Sequence, residues 1–201
     1  MQQLKMLKLM GEVKPYPVHE DYYIRNIRML EDGREDPAEI EAWVLACRNQ
    51  LIGENGTSEA YTNSITNTPL LNPATDVFFV CEKATDRPVA TLTAHIRDTG
   101  EGWIHMVGSL PEIRGKKLGH AMLARGLERL AEAGVPVVRL VTDDWRRPAI
   151  KNYLVAGFRP VIFDDPSEDA KPLNERWDVI LDEMGWEDRT YLTMDGNVWK
   201  K

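Results

Sequence analysis

The stretch Gly102-Trp103-Ile104-His105-Met106-Val107-Gly108-Ser109-Leu110-Pro111, continuing Glu112-Ile113-Arg114-Gly115-Lys116-Lys117-Leu118-Gly119-His120-Ala121, decides how this chain is read. Its apolar run, Trp103 to Val107, reads as a strand. The run breaks at Gly108–Pro111 and passes through a basic, glycine-containing turn straight into a helix. Such a turn leaves the first N–H groups of the helix unpaired and aimed at one point, beside the positive end of the helix dipole. Gly115 and Gly119 let backbone or ligand approach closely, and Arg114, Lys116 and Lys117 add positive charge. The product is an anion cradle sized for a phosphate or pyrophosphate.

Working outward, Val77–Lys83 and Pro88–Arg97 are two further strands, joined by a turn at Thr85-Asp86-Arg87, so a three-stranded meander precedes the cradle. The helix after the cradle, Lys117–Ala133, sets Leu123, Leu127 and Leu130 on one face and stops at Gly134. Val137–Val141 is expected as a central strand buried on both faces. A helix over Pro148–Ala156 stops at Gly157, Phe158–Phe163 is a strand, and Asn174–Met184 is a helix with Trp177, Ile180 and Leu181 inward. Upstream, Tyr22–Leu30 is a first strand. Asp36-Pro37-Ala38-Glu39 starts a helix, with Asp36 as N-cap, Pro37 at the first position and Glu39 completing a box-like arrangement. That helix carries Ile40, Trp43, Val44 and Cys47 on one side and should end near Gly53. Glu54–Thr75 turns to Asn, Thr, Ser, Gly and Pro, a long loop broken by a short helix, and loops of that length are often functional. Residues 1–20 show no clear element, and Pro15 and Pro17 make their end extended or irregular. No internal repeat is visible.

The 201 residues suit one domain with a full core. Hydrophobic content of 43% with 28% charged residues excludes a disordered or membrane-embedded chain. A net charge of −7 argues against a nucleic-acid partner, and no apolar run approaches membrane-spanning length. Cys47 and Cys81 have neither disulfide nor zinc spacing, which favours the cytoplasm. Met1–Met10 carries Lys5 and Lys8 within its apolar stretch, so no signal peptide is expected.

The quoted residues resemble the GNAT superfamily of acyl-CoA-dependent N-acyltransferases. That family's cradle motif is Arg or Gln, two residues, Gly, one residue, then Gly or Ala. Arg114, Leu118 and Gly119 fit the frame, and Pro111 and Gly115 sit where members commonly have them. Lys117 departs from it, standing where the motif has its middle glycine. A second motif follows at the family's spacing: Ala149, Tyr153 four residues on, then Gly157-Phe158, with Arg146 where an Asn often precedes the Ala. The resemblance covers roughly residues 22–163 and implies a mixed α/β fold. Its central, strongly twisted sheet has helices on both faces, a β meander being followed by α-β-α-β. Residues 1–21 then form an N-terminal extension and residues 164–201 a C-terminal helix and tail of one domain, 1–201. It also implies that acetyl-CoA is held by Val107, Ser109, Leu110, Arg114, Gly115, Lys116, Lys117, Leu118, Gly119, His120 and Arg146, with no metal. The partner is an amine acceptor. Lys117 keeps its backbone N–H, so the cradle can survive with that side chain turned outward.

Acyl transfer to an amine needs a neutral nucleophile, a stabilised oxyanion and a proton for the departing thiolate. A phenol of pKa about 10 is already protonated at neutral pH and suits a thiol near 8.5. Tyr153 stands where the family's general acid stands; the alternative is a packed aromatic. A main-chain N–H near Met106 or Val107 would polarise the thioester carbonyl. Strand alternation puts Trp103, His105 and Val107 on one face. His105 matches a family base position, and a histidine near pKa 6.5 accepts a proton at neutral pH; the alternative is a core histidine. Asp143 and Asp144 could receive a cationic amine, or cap the following helix. His19, His95 and His120 lack metal-ligand spacing, and Trp43, Trp145, Trp177, Trp186 and Trp199 read as core or packing residues. The run Asp164-Asp165 with Glu168-Asp169 reads as a solvated loop. The tail Glu187–Lys201 could add a strand to the sheet or to a partner copy, as in a homodimer. A non-catalytic acyl-CoA-binding or sensory module is the rival reading; it would keep the cradle and lose the acid and base.

Overall fold

The computed structural model describes residues 2–113, 115–163 and 172–200. The chain divides into two compact units, Gly11–Pro136 and Met1–Met10 with Val137–Lys201.

In the first unit, β2 (Tyr22–Asn26), β3 (Val77–Glu82), β4 (Pro88–Ile96) and β5 (Gly102–Ser109) pair antiparallel in sequence order. The register sets Phe78 against Leu92, Val80 against Ala90 and Ala94 against Ile104 on one face. Helix α4 (Leu118–Glu132) lies on that face, and Gly126 permits the approach: a Cβ there would stand 2.6 Å from Leu92 Cδ2. The other face carries Val77, Phe79 and Cys81, which form one core cluster with Trp43, Val44 and Cys47 of α1 (Pro37–Cys47). Each large apolar side chain so buried contributes about 1.5–3 kcal/mol. Asp36 caps α1 as expected, accepting from the Ala38 N–H at 2.9 Å. Glu39 does not complete a capping box: its carboxylate is buried against Arg25, at 2.6 and 2.7 Å.

The segment expected as a long loop is largely helical turns. Wide π turns at Arg48–Ile52 and Thr62–Thr66 flank α2 (Ser58–Tyr61), and α3 (Pro73–Asp76) is capped by Asn72. Burial of Tyr61 and Ile65 in the α1 cluster fixes it there.

In the second unit, the unassigned amino-terminal stretch contains β1 (Leu4–Leu9). It pairs antiparallel with β6 (Val137–Thr142) on one edge and with β7 (Arg159–Pro160) on the other. Burial along β6 alternates, with Val138, Leu140 and Thr142 inside and Arg139 on the half-buried side, so the expectation of burial on both faces fails. Helices α5 (Arg147–Val155) and α6 (Leu173–Glu183) complete this unit. The tail joins its own sheet: Leu192 bridges Val161 and packs with Leu7. The α/β class, the meander β3–β5 and the α-β-α-β succession from α4 to β7 follow the sequence reading. The acidic run at 164–169 lies outside the described residues. Among the described residues, no helix is long and apolar enough to cross a membrane.

Candidate active site

The strand that leads to the cradle is bulged. Thr93 pairs with His105 and Thr91 with Gly108, so Met106 and Val107 together oppose one residue of β4. Met106 takes a left-handed φ of 48° to make this possible. A bulge of this kind leaves main-chain groups outside the ladder, where they can meet a ligand. It also breaks the alternation. Gly108, not Val107, follows His105 on the α1 face, where its Cβ would meet the Ala46 carbonyl oxygen at 2.6 Å. The expected common face of Trp103, His105 and Val107 is therefore corrected.

After β5 the Leu110 N–H donates to the Val89 carbonyl at 2.9 Å, and Pro111–Ile113 form a 3-10 turn. Ser109 is exposed beside them and pairs with Ala90. Gly115 and Lys117 then adopt left-handed φ values of 85° and 57°. Lys117 is the N-cap of α4, and no side chain caps the helix. Leu118 and Gly119 open the first turn, whose N–H groups have no partner within the helix, and a Cβ on Gly115 would meet nothing within 4 Å. A left-handed turn that opens a helix in this way presents backbone N–H groups to an anion. Arg114 lies outside the described residues. The Lys116 ammonium donates to Tyr22 Oη at 2.5 Å and lies over that ring at 4.7 Å, and this hydrogen bond raises its pKa. The His120 ring stands 5.0 Å from Tyr16.

His105 shares its face with Thr93, directly across the ladder, and with His95, whose ring centroid is 6.3 Å away. Burial, then His95 and Arg97, push the His105 pKa down to about 4. The histidine expected near 6.5 is thus neutral well into the acid range. Thr93 and His95 are buried, and Thr93 Oγ1 and His95 Nδ1 have no hydrogen-bond partner among the described residues. His95 was read as structural. The Thr91-x-Thr93-x-His95 alternation in β4 was the available sign that one face of the meander is polar inside. Trp103, paired with His95, carries the Arg97 guanidinium 3.5 Å above its ring.

In the second unit, Tyr153 lies on α5 with 7% of its surface exposed, edge-on to Phe158 at 6.0 Å. Burial pushes its pKa up to about 12, opposed by Arg146. The phenol is therefore a proton carrier throughout the neutral range. Arg146 occupies the N-cap position of α5, with Nε 2.9 Å from Asp143 Oδ2 and its guanidinium 4.7 Å from the Trp145 ring. Asp143 also accepts from Gln3 at 3.0 Å, while Arg176 clamps Asp144 with both Nε and Nη2 and lowers its pKa. Neither aspartate caps α5, and both carboxylates are already engaged. Trp43 and Trp177 are core residues as expected, but Trp145 is 60% exposed.

Comparison with known proteins shows the family and the fold. The sequence model of the acetyltransferase (GNAT) family matches residues 6–158. Mycothiol acetyltransferase of Sanguibacter keddieii is 43% identical over 63 residues, which are 31% of this chain and 20% of that protein. Its counterpart from Thermobifida fusca is 39% identical over 57 residues, 28% of this chain and 18% of that protein. The matched stretch thus spans about a fifth of these curated relatives. Among solved structures, a GCN5-related N-acetyltransferase from Sphaerobacter thermophilus superposes with a TM-score of 0.58 at 23% identity, over 79% of this chain and 48% of that one. A GNAT-family acetyltransferase from Colwellia psychrerythraea gives 0.56 at 15% identity, over 79% and 53%. At those identities the likeness is one of fold.

Proposed function

Because the chain belongs to the acetyltransferase (GNAT) family, we propose that it moves an acetyl group from acetyl-CoA directly to a primary amine within a ternary complex. The observation that carries this reading is the left-handed turn through Gly115 and Lys117, which opens α4 with no side-chain cap. Such a turn offers backbone N–H groups to a pyrophosphate, with the helix dipole adding to the attraction. The GNAT membership and the stretches shared with acetyltransferases support the acetyl donor.

In this reading Leu110, Gly115, Leu118, Gly119 and His120 hold the coenzyme through backbone and close contact, while Lys116, Lys117 and Arg146 add charge. Arg114, Val107 and Ser109 complete the proposed set. The N–H groups freed by the Met106–Val107 bulge polarise the acyl carbonyl. The amine attacks as its free base. One proton leaves the nitrogen for His105 and one passes from Tyr153 to the departing sulfur, so the balance is a proton moved from amine to thiol. His105, held neutral by its surroundings, accepts only from a nitrogen made acidic by bond formation. Burial keeps Tyr153 protonated, ready to donate.

Tyr153→Phe retains the ring and removes the proton. It should lower kcat by roughly a hundredfold, with acetyl-CoA still raising Tm as a ligand selective for the folded state does. Wild-type kcat in single-turnover chemistry would remove the acid role. No thermal shift with millimolar acetyl-CoA would remove the coenzyme.

A further inference from the structure

We propose that the groove between β2 and α4 is a second ligand site, which takes a small aromatic carboxylate and is coupled to the cradle at the start of α4. The site stands without the transferase reading; its link to the cradle rests on that reading.

Helix α4 packs on β4 and β3. Beside β2, the end strand of the sheet, it leaves a groove of about 360 Å³, a size at which small-ligand sites occur. All of it belongs to the Gly11–Pro136 unit. Ile24 pairs with Val80, so Ile24 and Tyr22 lie on the face that α4 covers. From α4 come Ala121, Ala124, Arg125 and Glu128, at the spacing of one helix face. The two alanines keep open a space that leucines at those positions would fill. The third side is the extended segment before β2, from which Tyr16 lines the groove. Pro15 and Pro17 flank Tyr16 and hold its backbone extended, so less freedom is lost when its ring meets a ligand.

This lining selects a flat ring that carries an anionic group. Tyr16 and Tyr22 offer aromatic surface to a ring, and the alanines and Ile24 are apolar around it. Of the charged residues that line the groove, Arg125 and Glu128 pair with each other at 3.5 Å. The third, Lys83, is exposed and has no ion pair among the described residues. A carboxylate beside it gains a charge-assisted hydrogen bond, whereas a cation meets both Lys83 and Arg125. The same two tyrosines reach the cradle. The Lys116 ammonium donates to Tyr22 Oη at 2.5 Å, and the His120 ring stands 5.0 Å from Tyr16. A ligand that orders both rings orders both contacts, so the coenzyme then meets a turn with less freedom left to lose. The coupling is reciprocal by linkage.

The protein should be titrated calorimetrically with 3-phenylpropionate, with its neutral amide and with 3-phenylpropylamine. The acid should bind with a Kd of about 0.1–1 mM, roughly fivefold or more tighter than the amide or the amine. Lys83→Gln should weaken the acid about fivefold, to the level of the amide, and leave the amide unchanged. Ala124→Leu, which fills the groove, should abolish binding of all three; should the leucine lower Tm, Lys83→Gln alone decides. With the acid saturating, the Kd of acetyl-CoA should fall about fivefold. Equal binding of acid and amide, tighter binding of the amine, or an acid Kd unchanged in Lys83→Gln would overturn the site. Acid that binds as expected but leaves the acetyl-CoA Kd unchanged would overturn the link to the cradle. An acetyl-CoA Kd that rises in proportion to the acid would place both ligands in the cradle and overturn the whole. An absent acetyl-CoA thermal shift would remove the coenzyme reading and the link with it, and the acid titration would still decide the site.

Discussion

The two faces of the β3–β5 meander are made from the same strands, yet they differ in kind. Toward α4 point Phe78, Val80, Leu92, Ala94 and Ile104, with no polar side chain among them. Toward α1 point Val77, Phe79 and Cys81 together with Thr91, Thr93, His95 and His105. A core built for stability alone would avoid the second set, because each buried polar atom left without a partner costs about 1–3 kcal/mol. Thr93 Oγ1 and His95 Nδ1 carry that cost among the described residues. The difference teaches where chemistry is to be sought: one face holds the sheet together and the other is poised to meet a ligand.

The sharpest way to break the comparison uses a glycine from each face. At Gly108 an added methyl would meet the Ala46 carbonyl oxygen at 2.6 Å and its carbon at 3.0 Å, and neither can move without shifting α1. Gly108→Ala should cost about 3 kcal/mol. At Gly126 the clash at 2.6 Å is with the Leu92 methyl end, which can rotate away, and alanine improves helix propensity by about 1 kcal/mol. Gly126→Ala should therefore fall within about 1 kcal/mol of the parent. Denaturant midpoints at constant m-value measure both. Equal losses would mean that the two helix contacts are equally rigid.

A smaller effect separates the faces by pH. His105 has an ordinary pKa of 6.5 when unfolded and one of about 4 when folded. Between these values the unfolded chain binds a proton that the folded chain refuses, so stability falls as pH drops through that window. The limiting slope is about 1.4 kcal/mol per pH unit. Since His105 is only half-buried, solvent screening reduces the expected loss to about 2 kcal/mol by pH 4.5. His105→Gln should flatten the stability profile across this range. Ile104→Val, on the α4 face, should lower stability by about 1 kcal/mol at every pH. A profile unchanged in His105→Gln would mean that the histidine titrates normally.

Legibility in the sequence followed the range of the forces involved. The Asp36-Pro37 helix start was readable because a cap is settled within two residues, and the Asp36–Ala38 bond is present. Glu39, three residues into the same pattern, was misread because its partner Arg25 is brought by the fold. Strand β1 escaped notice since its burial depends on β6 and β7, both distant in sequence. The Met106 bulge has no local signature: a left-handed φ is unfavourable for methionine as for any residue with a side chain, and only the β4 register forces it. Of the candidate site, Gly115 through His120 was visible from residue types, and Tyr153 from the family resemblance. The shift at His105 was not, being set first by burial in the fold and then by His95 and Arg97.

The smallest predicted effect tests the point where α4 begins. Lys117 holds a left-handed φ of 57°, a conformation that costs a side-chain-bearing residue about 1 kcal/mol and costs glycine almost nothing. It is also the position at which the family has glycine. Lys117 occupies the N-cap position of α4, but its side chain makes no capping hydrogen bond. Lys117→Gly should then relieve the strain, although glycine's greater freedom in the unfolded chain returns about half of the gain. The net expectation is a stabilisation of about 0.5 kcal/mol, read as a rise of about 1–2 °C in Tm. Acetyl-CoA affinity should stay level or improve, because every backbone N–H of the cradle is kept. A sharp loss of affinity in a variant that is no less stable would show that the Lys117 ammonium itself touches the coenzyme. The strain at φ 57° would then be the cost of aiming that charge into the cradle, and not a tolerated departure from glycine.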